Sequence, residues 1–419
     1  MDDIKSILQS LGLKLSDDGP RFWRSAAVYR DGDNPTALRI SKKNGGFIDF
    51  VTNTSGPLYK LVQLTLGLPK PKEAKKWLEN KKFVFQPQSQ DQPKVTMPEY
   101  FDPKMLDNLL RVHDYWINRG ISEKILQQFQ GGIATRGRMI NRYVFPIFGG
   151  FNKIIGFSGR DLTNKSTIKW KIIGDKHNFV FPLHINRDKI VNKKEVILVE
   201  SIGDTLSLFE AGFDHVVCLF GTYISDAIIS ALVGLQLKKI FICVNNDQEN
   251  NNVGNKKACD IYLRLIKFFD KEKIKIKLPT KKDFGEMNAE EIKTWDSLKT
   301  LAIVGTREFN DYNRLKEVVE PYKKETGMVV SGGARGSDLL GRKWALENQI
   351  PLIEFIPKWD EQGKAAGIIR NEYIIRNADQ VVAIMRPGSK GTQNDIDIAT
   401  RLGIPIQIVD FNAKINFNA

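Results

Sequence analysis

The sequence predicts an α/β fold spread over several domains: a small α+β module at the amino terminus, then two parallel sheets in succession. Three observations carry that expectation. A length of 419 residues fits two to four domains. The stretch "FQPQSQDQPKVTMP" (85–98) has prolines, glutamines and no apolar periodicity, so it marks a linker, 83–98, after a first block of residues 1–82. Beyond it, short apolar runs alternate with helix-patterned segments, a pattern that builds parallel sheets covered on both faces. The polar "KTWDSLK" divides this region into blocks 99–297 and 298–419.

The elements of the middle block follow in order. "EVILVE" (195–200) is a strand, and residues 203–211 suit a helix. "HVVCLFG" is a second strand, Ser225 can cap the helix after it, and "KKIFICVNN" is a third strand. A helix near 254–269 and the strand "KIKIKL" complete the set. In the last block, "LAIVGTREF" runs from a strand into a turn. "MVVSGGARGSDLLGRKWALENQ" and "VVAIMRPGSKGTQNDIDIATRLG" each run strand, glycine-rich loop, helix.

Composition narrows the classes. With 42% hydrophobic and 27% charged residues the chain reads as a soluble globular protein, and no apolar run approaches a membrane span. The acidic, then amphipathic start "MDDIKSILQSLGLKL" is not a secretion signal, so a cytoplasmic setting is the default. Three cysteines (Cys218, Cys243, Cys259) and four histidines are too few and too scattered for a disulfide framework or a structural zinc site. A net charge of +14 favours a polyanionic partner, since Lys and Arg neutralise phosphates; it can equally be a solvated surface.

Functional groups in open parallel sheets gather at the carboxyl ends of strands. Here those ends carry Glu200, Gly221-Thr222 and Asn245 to Asp247; Asp204 lies one turn into a helix, and Asp283 and Glu286 sit in the loop after the last strand. Hard cations such as Mg2+ take oxygen ligands, often one or two carboxylates completed by water and phosphate. Any one of these acids alone could be a solvated loop residue or a helix cap; four at successive strand ends point to a metal site.

The stretch "VILVESIGDTLSLFEAGFDHVVCLFGTYIS" resembles the TOPRIM domain of bacterial DnaG-type and phage primases. Before it, "NRGIS", "FPIF", "GFSGR" and "KWKIIGDKHNFVFPLH" resemble, in order and spacing, the rest of the DnaG-type core, so the resemblance spans about residues 99–290. It divides the middle block into a basic subdomain (99–194) and a TOPRIM sheet (195–297). It implies a DNA-directed RNA polymerase of primase type, making short RNA primers on single-stranded DNA from ribonucleoside triphosphates. It further implies Mg2+ or Mn2+ as cofactor, a replicative helicase as partner, and a phage or mobile-element origin acting in the host cytoplasm. By position it makes Glu200, Asp204 and Asp247 the catalytic acids and Glu200, Asn245, Asp247 and Asp283 the metal ligands. Arg119, Arg160, Lys169, Lys171 and Lys176 fall on the residues that handle nucleotide and template. Two departures stand out: Asn245 replaces the first acid of the family's Asp-x-Asp, and Gly285 stands near the expected second acid of the later loop, beside Glu286. An amide oxygen brings no negative charge, so weaker binding or one fewer ion is expected. Retention of this fold as a TOPRIM nuclease or an inactive nucleic-acid scaffold is the rival reading.

Residues 29–67 have the outline of the zinc ribbon that precedes such cores, but Tyr29, Asp33 and Phe50 stand where the family has Cys and His. A metal-free ribbon-like module is expected, or else an unrelated small α+β domain. Arg21, Trp23, Arg24, Arg30, Arg39, Lys42 and Lys43 could engage single-stranded template there.

The last block resembles the SLOG superfamily of Rossmann-like domains, YspA-like members in particular, through "VGTREF", "SGGARGSDLLGRKWA", "PKWDEQGKAAGIIRNEYII" and "RPGSKGT" over about residues 300–411. Two glycine-rich loops before helix N-termini favour a phosphate-bearing ligand. The resemblance implies an unidentified nucleotide-like ligand at Gly305, Arg307, Gly333, Arg335, Gly336, Asp338, Arg370, Asn371, Gly388, Gly391 and Thr392. Gln393, Asn394 and Asp395 follow the Gly-Thr where the superfamily's LOG enzymes have a Glu, which weighs against their phosphoribohydrolase activity. A nucleotide-signal binder, or an oligomerisation domain with empty loops, stays open.

Overall fold

A computed structural model describes residues 4–52, 54–81, 99–166, 168–248 and 253–412; the linker expected over 83–98 lies outside them. The chain divides into two compact units, Met1–Thr96 and Met97–Ala419. No helix among the described residues is long and apolar enough to cross a membrane.

The first unit is a five-stranded antiparallel sheet in chain order, with helices Ile4–Ser10, Leu58–Thr65 and Pro71–Asn80. Its core is its own: Ile7, Leu8, Leu38, Ile40, Phe47, Leu61, Val62 and Leu78 are buried together. Asp49, fully buried, accepts from the Tyr29 hydroxyl (2.6 Å) and the Arg30 Nε (2.8 Å), and these two partners hold its carboxyl well below the usual range. Several candidate template residues are committed inside the unit. Arg24 and Arg39 both pair with Asp18 at 2.9 Å, Arg30 with Asp49, and Lys42 with Asp17.

The second unit carries three sheets. The first is an antiparallel five-stranded meander whose longest strands are Arg142–Phe148 and Ile154–Asp161. The second is parallel: β1 (Glu195–Val199), β2 (Val216–Cys218), β3 (Lys239–Ile242) and β4 (Ile274–Ile276), in the order β2-β1-β3-β4. The third is also parallel: β5 (Lys299–Gly305), β6 (Thr326–Ser331), β7 (Leu352–Glu354), β8 (Gln380–Met385) and β9 (Ile406–Asp410), in the order β7-β6-β5-β8-β9. In both parallel sheets the strand order reverses beside the first strand, which opens a crevice at the carboxyl ends there.

Burial explains the strand sequences. Val196, Leu198, Ile240 and Ile242 are buried on one face of the first parallel sheet and Ile197, Val199, Val216 and Cys218 on the other. In the second, Ala302, Val304, Val330 and Ala383 face one core and Leu301, Ile303, Val329 and Val382 the other. The strands are apolar because both faces of a parallel sheet are covered. Helices α1 (Ile202–Glu210), α2 (Val253–Leu265), α3 (Ser337–Glu347), α4 (Ala366–Asn377) and α5 (Lys390–Leu402) supply the cover. The two parallel sheets share one core: Tyr262 of α2 packs edge-on against Phe355 and Tyr373. The antiparallel sheet joins through Phe129 against Phe209 of α1 (4.9 Å) and a Ser122 N–H donated to Glu210 Oε2 (2.7 Å).

Candidate metal centre and ligand cleft

The first site forms at the ends of β1 and β3, which are neighbours in register. Glu200 follows β1 directly, and its Oε2 is buried with no hydrogen-bond partner among the described residues. Burial, with the fields of Asp204, Asp247 and Asp283 added, pushes its carboxyl up to about 7, while the Asn245 backbone N–H opposes the shift. The other three acids singled out in the sequence therefore lie within electrostatic reach of Glu200. They do not converge, however: among the described residues no three His, Cys, Asp or Glu side chains form a group able to hold a metal ion.

The structure gives Asp204 a second task. Its Oδ2 accepts from the Ser201 N–H (3.1 Å) and Oγ–H (2.7 Å), completing a capping box at the start of α1, and its Oδ1 accepts from the Phe284 N–H (3.1 Å). Burial raises its carboxyl to about 6, with Asp283 adding to the shift. Asp204 thus fastens the loop that bears Asp283, and the Asn246 N–H donated to the Lys282 carbonyl (2.8 Å) fastens it from the other side. Asp283 itself caps a short turn through Glu286 N–H at 3.0 Å. Half-buried Asp247 has no hydrogen bond to its carboxylate among the described residues, and Glu200 Oε2 has none either. The Glu200 carboxylate keeps the Asn245 N–H, but a buried oxygen left unpartnered is costly unless a cation reaches it. Two carboxylates, Glu200 and Asp247, are a donor set that a hard divalent ion takes when water or phosphate completes it.

The basic candidates separate. Arg160 donates from Nε to the Tyr115 hydroxyl (3.0 Å), and Arg119 stacks on the same tyrosine ring at 3.7 Å. Lys171, one residue beyond Arg160's cross-strand partner Trp170, donates to the Arg138 carbonyl at 2.7 Å. Lys169 is exposed at the edge of this group; Lys176 is exposed in a separate turn and is not brought to it. Two contributors escaped sequence reading. Tyr115 organises both arginines, and its signal was an aromatic just ahead of "NRG". Arg142, buried, donates to the carbonyls of Gly159, Ile168 and Lys169 and so props the loop bearing Lys169.

A second site, a cleft of about 320 Å³, opens at the carboxyl ends of β5 and β8. It is lined by Gly305, Arg307, Asp338, Arg370, Asn371, Gly388, Gly391 and Thr392 from the sequence-derived set. Gly333, Arg335 and Gly336 do not line it. Gly333 turns toward Glu354 and Ile356, Arg335 is exposed, and Gly336 backs onto the Arg307 main chain, where a Cβ would lie 2.5 Å from Arg307 C. The floor is charged and buried: Arg370 Nη1 lies 3.4 Å from Asp338 Oδ2, and Asp395 Oδ1 and Arg370 Nε lack partners among the described residues. Burial pushes Asp338 up to about 6 and Asp395 to about 8, against the pull of Arg370. Asp395 was not among the sequence candidates, although it lies one helical turn after Thr392. Arg386 and Glu308 pair at the rim.

A Toprim-like family model matches residues 197–287, the segment that carries the ends of β1 and β3. Residues 300–361 match the YspA, cpYpsA-related SLOG family. The Gene 61 protein of Mycobacterium phage D29 is 30% identical over 126 residues, covering 28% of this chain and 99% of that protein. The DNA primase of Campylobacter jejuni is 27% identical over 122 residues, 28% of this chain and 20% of that one. The chain belongs to the DnaG-type primase family. Its matched part spans a fifth to a quarter of the Campylobacter jejuni and Borreliella burgdorferi primases. Among solved structures, the Aquifex aeolicus primase (zinc binding and RNA polymerase domains) superposes with a TM-score of 0.40 at 15% identity, covering 96% of this chain and 95% of that one.

Proposed function

We propose that this chain synthesises short RNA primers on single-stranded DNA from ribonucleoside triphosphates, with Mg2+ or Mn2+ at the Toprim strand ends. The observation that carries the reading is the buried, unpartnered Glu200 oxygen facing a field of three further acids. Glu200 and Asp247 would hold the ion, with Asn245 and Asp283 as further oxygen donors, and the ion would supply positive charge against the triphosphate. Asp204 acts by keeping the Asp283 loop in place. Arg119 and Arg160, gathered on Tyr115, with Lys169 and Lys171 near them, orient phosphates of nucleotide and template. Primer synthesis from labelled ribonucleotides on single-stranded DNA tests this. Glu200→Gln should lower product by about 10²- to 10⁴-fold, the range for a group acting on the reacting atoms. Equal product from the variant sinks the reading.

The buried Asp338–Arg370–Asp395 floor favours a second activity, binding of a nucleotide-like ligand in the C-terminal cleft. Its arginine rim would meet phosphate and its carboxylates hydroxyl or amino donors. Calorimetry with ADP and ADP-ribose should give heats that Arg307→Ala abolishes; no heat from either ligand, or unchanged heats in the variant, removes the site.

A further inference from the structure

Residues 246–248, which follow β3, are held at the C-terminal sheet. β7 is the edge strand of that sheet, and its parity is fixed by its neighbour: the Pro351 carbonyl and the Phe355 N–H bond to β6. Residues of the other parity, Leu352 and Glu354, therefore turn their main-chain groups outward, and an edge with unpaired groups needs a cover. The cover comes from the Toprim side. The Leu352 N–H donates to Gln248 Oε1 (3.1 Å), and Asn255 Nδ2 donates to the Leu352 carbonyl (2.7 Å). One turn along α2, the Cys259 thiol reaches the Glu354 carbonyl at 3.7 Å.

Asn255 is 3% exposed and does more than cover an edge. Its Oδ1 accepts from the Asp247 N–H (3.0 Å), and its Nδ2 also reaches Asn246 Oδ1 (3.3 Å). One side-chain amide thus grips Asn246, Asp247 and a carbonyl 97 residues away on another sheet. We infer that Asn255 is a positioning residue for the Toprim site: with Gln248 it fixes the loop bearing Asp247 to the edge of the SLOG sheet, which makes that sheet a working part of the metal centre. The inference rests on the reading of Glu200 and Asp247 as divalent-metal ligands.

The test is Mn2+ binding by the full chain, followed by electron paramagnetic resonance, beside thermal melting and primer synthesis. Wild type should bind Mn2+ and Glu200→Gln should not; failure of wild type to bind removes the metal reading and this inference with it. Given binding by wild type, Asn255→Ala should weaken Mn2+ affinity about tenfold or more, as outer partners of metal ligands do. Raising Mn2+ should restore primer synthesis by Asn255→Ala, which a mere loss of folded protein would not allow. Gln248→Ala, which breaks the tie at Leu352 without touching Asp247, should weaken affinity by a smaller factor, and it decides the matter if Asn255→Ala fails to fold. Wild-type affinity in the folded variants overturns the inference and leaves the metal reading standing.

Discussion

The Toprim strand ends and the C-terminal cleft are built on the same plan and treat negative charge in opposite ways. Both lie at the carboxyl ends of parallel strands where strand order reverses. At the Toprim ends Glu200 stands in the fields of Asp204, Asp247 and Asp283 with its Oε2 unpartnered among the described residues, so the strand ends present negative charge with no cation set against it there. In the cleft a cation is already built in: Arg370 lies against Asp338 and within the field of Asp395, while glycines bring main chain close to the opening. The first arrangement suits an ion and the phosphates it neutralises. The second suits a ligand that brings its own anionic group and neutral hydrogen-bond donors. Position in a fold therefore tells where chemistry happens, and the local counter-charge tells which kind.

The sharpest way to break the contrast is to neutralise one side of it. Glu200→Gln should cost about 10²- to 10⁴-fold in primer synthesis while leaving ADP heats at the cleft unchanged. A parallel loss of cleft binding would show that the two sites are not chemically separate. The next largest effect falls on the C-terminal sheet, at a glycine behind the cleft. Gly336 has φ +81°, and a Cβ there would meet both Thr306 O and Arg307 C at 2.5 Å. Gly336→Ala should destabilise the C-terminal sheet by at least about 2 kcal/mol through strain and main-chain overlap, read by denaturant unfolding. A change below about 0.5 kcal/mol, the usual range of a surface substitution, would mean that the loop shifts freely.

The buried acid of the cleft gives a pH test. Asp395 has its carboxyl raised to about 8, against about 4 in an unfolded chain. Between those values the folded state holds the extra proton, so stability falls as pH rises through the window. Asp395→Asn should flatten that part of the profile, making the variant less sensitive than wild type between pH 5 and 8. Parallel melting curves would place Asp395 in contact with water.

What was legible in the sequence follows from range. The strands, the Ser225 cap and the acids at strand ends depend on neighbours in sequence, and Ser225 Oγ does accept from Ile228 N–H at 3.3 Å. Glycine loops before helices are equally local, and eight of the eleven residues proposed for the cleft line it. What escaped was set by partners far away. Asp204 reads as a strand-end acid until Phe284 is found on its Oδ1, 80 residues on. Arg335 and Arg370 look alike in sequence; only the packing of α4 against the cleft buries Arg370 beside Asp338 and leaves Arg335 in solvent. In the amino-terminal unit, basic residues that suit a template surface are spent on Asp17, Asp18 and Asp49, acids no periodicity had marked.

The smallest expected effect probes the missing charge. Asn245 stands half-buried at the end of β3, and its backbone N–H points at the Glu200 carboxylate. Asn245→Asp would add one more carboxylate beside Glu200 and Asp247. Without metal the added charge repels its neighbours, so the variant should melt slightly earlier; with Mn2+ that penalty becomes attraction, and affinity should rise about threefold to tenfold, by the rule that ligand charge count tunes hard-cation binding. The two shifts have opposite sign, so a general change in stability cannot imitate them. Affinity left at the wild-type value would show that the side chain at position 245 points away from the ion, and that Glu200 and Asp247 work without it.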